Sequence, residues 1–381
     1  MEQLQSIRLV ADIGGTNIRI AQATKNNQLT HVSTYKCADF AELSDVLKLY
    51  IAEKEGKQVI KYTDVRFINT EKVASVLENI EPERFDQELS DVLKLYITEQ
   101  NLEGCQLHAC LAIACPTDED WISMTNLPWA FSQTALKAEL DLQSLYLIND
   151  YKAIAMSVPF LNDEQKCHIR GPQQGRANST ISICGPGTGL GVATLTPVTM
   201  HGNHFWHCIN SEGGHIDFAP VDELDLIIFS YLDSKKPRIS YEQLLSGYGL
   251  EQIYSAIVDY QNAIEGLHTP VQKTTLSAAE ISHNAIEGQC TLCRLALQQF
   301  CKVLGSFAGN LALLNSSFGG VYIAGGIVPR FIEFLKQGDF GERFIAKGRL
   351  SHIAEQTPVF VITEPQPGLL GAAVFLNQEI N

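Results

Sequence analysis

The 381-residue chain contains no uninterrupted apolar run of the roughly 20 residues needed to span a bilayer, so no membrane association is expected. Basic residues are in the minority, 28 Lys and Arg against 43 Asp and Glu, for a formal net charge of −15. A general nucleic-acid binder needs a basic face to neutralise backbone phosphates, and no such partner is expected here. The opening stretch MEQLQSIRLVADIGG lacks the basic start, apolar core and small-residue cleavage site of a secretory signal. The ten cysteines show no disulfide-like framework, which points to reduced thiols in a cytoplasm. Cys290 and Cys293 form a lone CxxC, but a zinc site takes about four ligands and no suitably spaced second pair follows. That spacing in a helical segment puts both thiols on one face, favouring core packing. What is present is 45% hydrophobic and 19% charged residues, ample for a core. The length is large for one core, and two domains are expected.

β-rich runs alternate with helical ones. Residues 7–13 and 17–24 read as strands joined by Gly14-Gly15-Thr16, with a third strand at 29–35 and a helix near 41–53. Residues 107–114 and 144–149 read as buried strands rich in Leu, Ile and Ala. A second unit then opens in the same way, with strands at 180–184 and 191–195 flanking Gly185-Pro186-Gly187-Thr188-Gly189. The helix-rich stretch 222–314 belongs to that second half. Two halves built alike predict a duplicated α/β architecture with a cleft between them.

The segment ELSDVLKLYI occurs twice, at 42–51 and again 46 positions later at 88–97. Each copy carries apolar residues at helical spacing, Leu43, Val46, Leu47 and Tyr50 in the first and Leu89, Val92, Leu93 and Tyr96 in the second. Two copies of ten residues do not make a solenoid. They record a duplicated segment or a sequence-assembly artefact, and residues 54–86 are expected to form a peripheral excursion that adds nothing to the chemistry.

In Asp12-Ile13-Gly14-Gly15-Thr16-Asn17 the glycines let backbone N–H groups approach a phosphate without obstruction. The loop joins strand to strand, unlike a Rossmann or Walker loop, which leads into a helix. Asp12 beside a phosphate would be repelled unless a divalent cation intervened, and Mg²⁺ bound largely through water resolves that conflict. An ordinary hairpin turn accounts for the same residues equally well. The second loop, Gly185-Pro186-Gly187-Thr188-Gly189-Leu190-Gly191, has more glycine than a hairpin needs. Two such loops in two halves would clamp one polyphosphate. A third glycine pair, Gly325-Gly326, follows a strand and precedes a helix near Pro329; it would admit the adenosine end of a nucleotide, or serve as a plain strand-to-helix turn.

DIGGTN, LIND, GPGTGLG, EGGHIDFAP and GGVYIAGGIVPR stand in the order seen in bacterial glucokinases of the hexokinase and actin-like ATPase superfamily, and the chain most resembles their proteobacterial ATP-dependent branch. The resemblance covers essentially the whole chain outside the 46-residue excursion. It implies a two-domain actin-like ATPase (ribonuclease H-like) α/β fold: a smaller domain of residues 1–160 plus 364–381, and a larger one of 161–363. The one departure is Ala11, where many members have glycine; Ala is small enough to change little.

The resemblance also implies the chemistry. ATP and Mg²⁺ would be held by Ala11, Asp12, Ile13, Gly14, Gly15, Thr16, Gly185, Gly187, Thr188, Gly189, Gly325 and Gly326, with Asp12 as the metal's carboxylate through water. From the residues themselves Asp150 reads as the N-cap of the helix YKAIAMS; the resemblance makes it the general base for the 6-hydroxyl of D-glucose, with Asn149 binding a hydroxyl beside it. Glu212 and His215 become sugar contacts. So does Glu242, which otherwise reads as a first-turn glutamate beside a Ser/Gln capping box. Asn126 lies in a loop and is set aside as a turn residue. The zinc-binding cysteines that follow this histidine in ROK sugar kinases are missing, since the sequence runs Ile216-Asp217-Phe218-Ala219-Pro220. A homodimer is implied as well. A sugar-responsive regulator is the rival from another class, disfavoured because only eleven residues precede Asp12.

Overall fold

The structure is a computed structural model, and it describes residues 6–14, 16–36, 106–124, 130–264 and 275–380. Both copies of the repeat, residues 54–86, Gly15 and Asn126 lie outside the described residues. The chain divides into two compact units, one holding the described residues up to Ala153 together with those from Gly368 onward, the other Ile154–Pro367.

The first unit is built on strands β1 (Ser6–Ile13), β2 (Asn17–Ala23), β3 (Leu29–Lys36), β4 (Gln106–Ile113) and β7 (Leu142–Asn149). The short hairpin β5 (Trp121–Ser123) and β6 (Ala130–Ser132) and helix α1 (Gln133–Glu139) stand between β4 and β7. Sheet order is β3-β2-β1-β4-β7, antiparallel across the first three strands and parallel from β1 to β4 to β7. The central strands β1 and β4 are apolar on both faces because both are covered. Leu9, Ala11, Ile13, Leu111 and Ile113 face one core, with Leu136 of α1 and its C-cap Leu140 packed in the same cluster. Val10, Cys110, Ala112 and Ile148 face another, filled by Leu369, Ala372, Ala373 and Leu376 of the last helix.

Helix α2 (Asp150–Ser157) leads into the second unit, whose strands are β8 (Lys166–Arg170), β9 (Ile181–Pro186), β10 (Leu190–Met200), β11 (Asn203–Ser211), β12 (Gly320–Ile323) and β13 (Val359–Ile362). Their order is β11-β10-β9-β12-β13-β8. The helices are α3 (Glu223–Asp233), α4 (Gly247–Ile264), α5 (Ala278–Ile286), α6 (Thr291–Leu314), α7 (Ile332–Gln337), α8 (Phe340–Ile345) and α9 (Ser351–Glu355). The last helix, α10 (Pro367–Ile380), returns the chain to the first unit. The 24-residue α6 is the pillar of the second core, burying Ala296, Phe300, Val303, Leu304, Phe307 and Leu311. Asp222 and Ser277 start α3 and α5 with reciprocal capping boxes.

The sequence put both thiols of the CxxC on one helix face; instead Cys290 is the N-cap of α6, its Sγ accepting from the Cys293 amide at 3.1 Å, while the expected core packing holds, with Cys293 buried and Cys290 partly buried against the same core. The thiol replaces the hydroxyl or carboxylate that usually fills a cap. The glycine pair after β12 leads first into a 3₁₀ turn at Val328–Phe331 and then into α7. No helix among the described residues is long and apolar enough to cross a membrane.

Candidate active site

In the first unit the parallel register sets Asp12 level with Ala112 and Ile148, and Ile13 level with Ile113 and Asn149. Asp12 and Asn149 therefore end strands two apart at one carboxyl edge, about 10 Å from each other at the usual strand spacing. Asp12 points to the face covered by α10, and a Cβ at Gly368 in the first turn of that helix would stand 2.8 Å from the Asp12 carboxylate. The glycine thus lets the positive end of a helix close on the acid. Arg19 Nη1 lies 3.6 Å from Asp12 Oδ2 on the facing strand. Burial nonetheless wins over that arginine and raises the Asp12 pKa. An acid whose charge is poorly compensated by its own protein suits a cation.

Asn149, not Asp150, caps α2: its Oδ1 accepts from the amide of Tyr151 at 2.9 Å and of Lys152 at 3.4 Å. Asp150 is the first helical residue, its Oδ1 accepting from the Tyr151 amide at 2.9 Å. The expected cap is thereby corrected by one position. Strand β7 runs straight into the helix, so the last strand residue is the one whose side chain folds back over the first turn. Just past β4, the Cys115 thiol is pushed up by burial and then by the Asp150 charge, which marks how closely these strand ends converge.

In the second unit β9 and β10 form an antiparallel hairpin whose last pair is Pro186 with Leu190. Gly187 donates to the Gly189 carbonyl at 2.8 Å to close the turn, and the Gly247 amide at the start of α4 donates to the Gly187 carbonyl at 3.0 Å. Thr188 is exposed at the tip. Ala324 donates to the Cys184 carbonyl at 2.8 Å, and Gly325, at φ +87°, lies against the Pro186 carbonyl, where a Cβ would collide. Both glycine signals of this unit are thus one surface, with Gly326 open beside it.

The Glu212-Gly213-Gly214-His215 turn is a 3₁₀ segment, with His215 donating its amide to the Glu212 carbonyl at 3.0 Å. Residues 216–218 then pair with 239–241: Tyr241 donates to the Ile216 carbonyl and Phe218 to the Ile239 carbonyl, each at 3.0 Å. This pairing carries Glu242 to the turn, leaving its Oε1 3.8 Å from His215 Nε2. Glu242 Oε2 accepts from the Leu190 amide at 2.9 Å. The expected capping box around Glu242 does not form, since Ser240 makes no side-chain cap bond and the segment is a single 3₁₀ turn. Sequence reasoning passed over Arg238, which donates to the His215 carbonyl at 2.8 Å and to Asp217 at 2.6 Å and so fixes the turn. It also passed over Gly247 and Gly249, whose signal was legible as two glycines opening a helix in SGYGL.

Of the expected residues, Ala11, Asp12, Ile13, Gly14, Thr16, Asn149 and Asp150 gather on the first unit, and Gly185, Gly187, Thr188, Gly189, Glu212, His215, Glu242, Gly325 and Gly326 on the second. Among the described residues no group of three or more His, Cys, Asp or Glu is placed to hold a metal ion. A single half-buried carboxylate is nevertheless what Mg²⁺ takes when the other ligands are water and substrate phosphate, so Asp12 fits that ion.

Two α/β units, each with a three-strand antiparallel meander (β1-β2-β3 and β9-β10-β11) that turns at glycine and whose first strand continues into parallel neighbours, β4 and β12, define an ATPase of the two-domain actin-like class. A solved glucokinase from an Antarctic psychrotroph shares this fold with a TM-score of 0.74 and 32% identity, covering 98% of this chain and 99% of that one. The glucokinase of Colwellia psychrerythraea is 51% identical over 377 residues, 99% of this chain and 98% of that protein. That of Photorhabdus laumondii is 37% identical over 374 residues, 98% of each. The glucokinase family profile matches residues 9–67 and 62–379. The chain belongs to the glucokinase family.

Proposed function

We infer that the protein transfers the γ-phosphoryl group of ATP to the 6-hydroxyl of D-glucose, giving glucose 6-phosphate and ADP, with Asp150 as general base. The observation that carries the roles is the register of β1, β4 and β7, which gathers Asp12, Asn149 and Asp150 at one edge. Asp150 takes the hydroxyl proton as the oxygen attacks phosphorus. Asn149 spends its Oδ1 on the helix cap, which orients the amide and offers its Nδ2 hydrogens to a neighbouring sugar hydroxyl. Glu212, His215 and Glu242 take other ring hydroxyls. Each such hydroxyl both donates and accepts, and an unpaired buried partner costs about 1–3 kcal/mol, enough to separate hexoses.

In this reading the glycine turns are the phosphate-binding elements, Gly187-Thr188-Gly189 of the second unit offering backbone amides without side-chain obstruction and Gly14 and Thr16 of the first belonging to the same role. The adenosine end lies at Gly325-Gly326. Mg²⁺ bound at Asp12 would supply charge neutralisation at the phosphates. The chain's own contribution is alignment and the exclusion of water, so loss of Asp150 should cut turnover far more than ATP binding.

The division at residues 160 and 364, a cytoplasmic location and a homodimer belong to the same reading, as does the idea that residues 54–86 add nothing to the chemistry. Excision of one repeat period with loss of folding or turnover would overturn that last point; light scattering on the eluting protein tests the dimer. The central test is coupled ATP turnover with glucose, mannose, fructose, glucosamine and N-acetylglucosamine, for wild type and Asp150→Asn. Asparagine keeps the Tyr151 contact and the helix start, so turnover should fall roughly 10²–10⁴-fold with the fold intact. Preference for another sugar would overturn the substrate, and an active variant would overturn the base.

A further inference from the structure

One side chain of the second unit joins the glycine turn to the Glu212–His215 turn. Glu242 is the sugar contact of the proposed reaction, yet its Oε2 accepts from the amide of Leu190, the residue that ends the glycine turn. Its other oxygen lies 3.8 Å from His215 Nε2. A Cβ at Gly189 would stand 2.6 Å from Glu242 Oε2 and 3.3 Å from its Cδ. The backbone of Gly189 is not in the left-handed region, so what a methyl there would disturb is the end of the glutamate side chain and not φ. Gly187, two residues earlier in the same turn, is different: its Cβ would meet only the Gly189 carbonyl, at 3.9 Å. One glycine of the turn therefore has room for a methyl, while the other is fitted to the carboxylate.

We propose that Gly189 is a positioning residue for the sugar, acting through Glu242, and that this carboxylate couples sugar and nucleotide binding within the second unit. A hydroxyl that donates to Glu242 competes with or reorients the bond to the Leu190 amide, and so changes the turn that receives the phosphates. By linkage a nucleotide that shifts the turn changes sugar affinity by the same factor. The inference rests on the reading of Glu242 as a glucose contact.

The test is glucose affinity, measured by calorimetry on the full chain in the absence of nucleotide and again with a non-hydrolysable ATP analogue. The added methyl of Gly189→Ala must push the flexible end of Glu242 aside, and losing a hydrogen bond to a charged group should weaken glucose binding by roughly 10-fold or more without any nucleotide present. Gly341→Ala in α8, whose methyl would meet only the Arg170 side chain at 3.5 Å, should leave nucleotide-free glucose affinity at the wild-type value. In a Glu242→Ala background the Gly189→Ala change should have no further effect on glucose affinity, the non-additivity expected of two residues acting as one. Wild-type glucose affinity should also change on adding the analogue, and that factor should fall toward one in Glu242→Ala. A wild type that does not bind glucose would sink the substrate reading on which this depends. A wild type that binds glucose, beside a folded Gly189→Ala that binds it equally well, would overturn the coupling alone.

Discussion

Arg343 is the residue whose loss should cost the second unit most. Its Nη2 donates to Asp225 Oδ2 at 2.7 Å, its Nη1 to Asp222 Oδ2 at 2.8 Å and its Nε to Ser306 Oγ at 3.0 Å, tying α8 to the cap of α3 and the middle of α6. Asp225 is wholly buried, and its remaining partners are the Gln299 amide at 2.6 Å and the Val221 and Asp222 backbone amides at 2.9 and 3.3 Å, none of which carries charge. Arg343→Met keeps most of the volume but strands that carboxylate, and breaking a buried pair this way costs about 3–5 kcal/mol. At about 2–4 °C per kcal/mol for a unit of this size, the calorimetric transition should fall by roughly 6–20 °C. Asp225→Asn in the same background should recover part of the loss by removing the stranded charge. The acid limb supplies a second readout. Burial pushes Asp222 up, but the Asp225 amide, Arg343 and Lys302 more than offset it and hold its pKa below the usual value. A depressed carboxylate contributes stability above its unfolded pKa of about 4 and loses it as pH falls through the lower folded value. The variant should therefore depend less on pH below about 4. A drop of under about 3 °C, or no recovery with Asp225→Asn, would refute the ion-pair argument.

Three other perturbations test separate parts of the molecule. Lys347, held against the Ser306 carbonyl at 3.1 Å, has its pKa lowered to about 8 by burial and then by Arg343; between that value and an unfolded one of about 10.4 the unfolded chain binds more protons, so stability rises with pH there. Lys347→Met should raise the melting temperature at pH 7, with the gain shrinking as pH climbs through that window. A Cβ at Gly309 would stand 2.5 Å from Lys347 Cε and strike the Phe344 carbonyl, so Gly309→Ala should destabilise by about 1–3 kcal/mol in urea titration. Asp12→Asn should raise the melting temperature of ligand-free protein at pH 7, because burial disfavours the wild-type charge; a folded pKa raised above the unfolded one gives stability at low pH that is lost as pH rises, and this slope should vanish while turnover falls. An Asp12→Asn protein that melts below wild type would show that Arg19 outweighs desolvation.

The strands were legible because both central sheets are apolar runs bounded by glycine, and boundaries fell within a few residues: the expected 7–13 is Ser6–Ile13 and the expected 191–195 extends to Leu190–Met200. The extension was hidden because Thr196–Met200 interrupts its apolar residues with Thr and Pro; its pairing with β11, Val198 opposite Phe205 and Thr199 opposite His204, depends on a strand that follows it. The glycine motifs named themselves. What they touch did not, since a bond from Glu242 to Leu190 joins residues 52 positions apart and depends on the pairing of 216–218 with 239–241. Asp150 illustrates the opposite difficulty. Its sequence neighbourhood says cap, and only the fold shows that Asn149 already fills that role.

Topology explains why the chemistry collects where it does. In each unit the first strand of the meander, β1 or β9, turns back through glycine at its carboxyl end, and the parallel neighbour must then end at the same edge. In the first unit that neighbour is β4, followed by β7 and the Asn149–Asp150 junction. In the second it is β12, which delivers Ala324 and Gly325 beside the β9–β10 turn. A glycine turn and a strand-to-helix junction thus come to one edge through hydrogen-bond register, whatever side chains they carry, in keeping with ligand sites at the carboxyl edges of open α/β sheets. The register gathers the positions, and their chemistry is left to few residues. Substitution at Asp150 or Gly189 should therefore alter reaction and affinity with little effect on folding, whereas Arg343 and Gly309, away from that edge, should do the reverse.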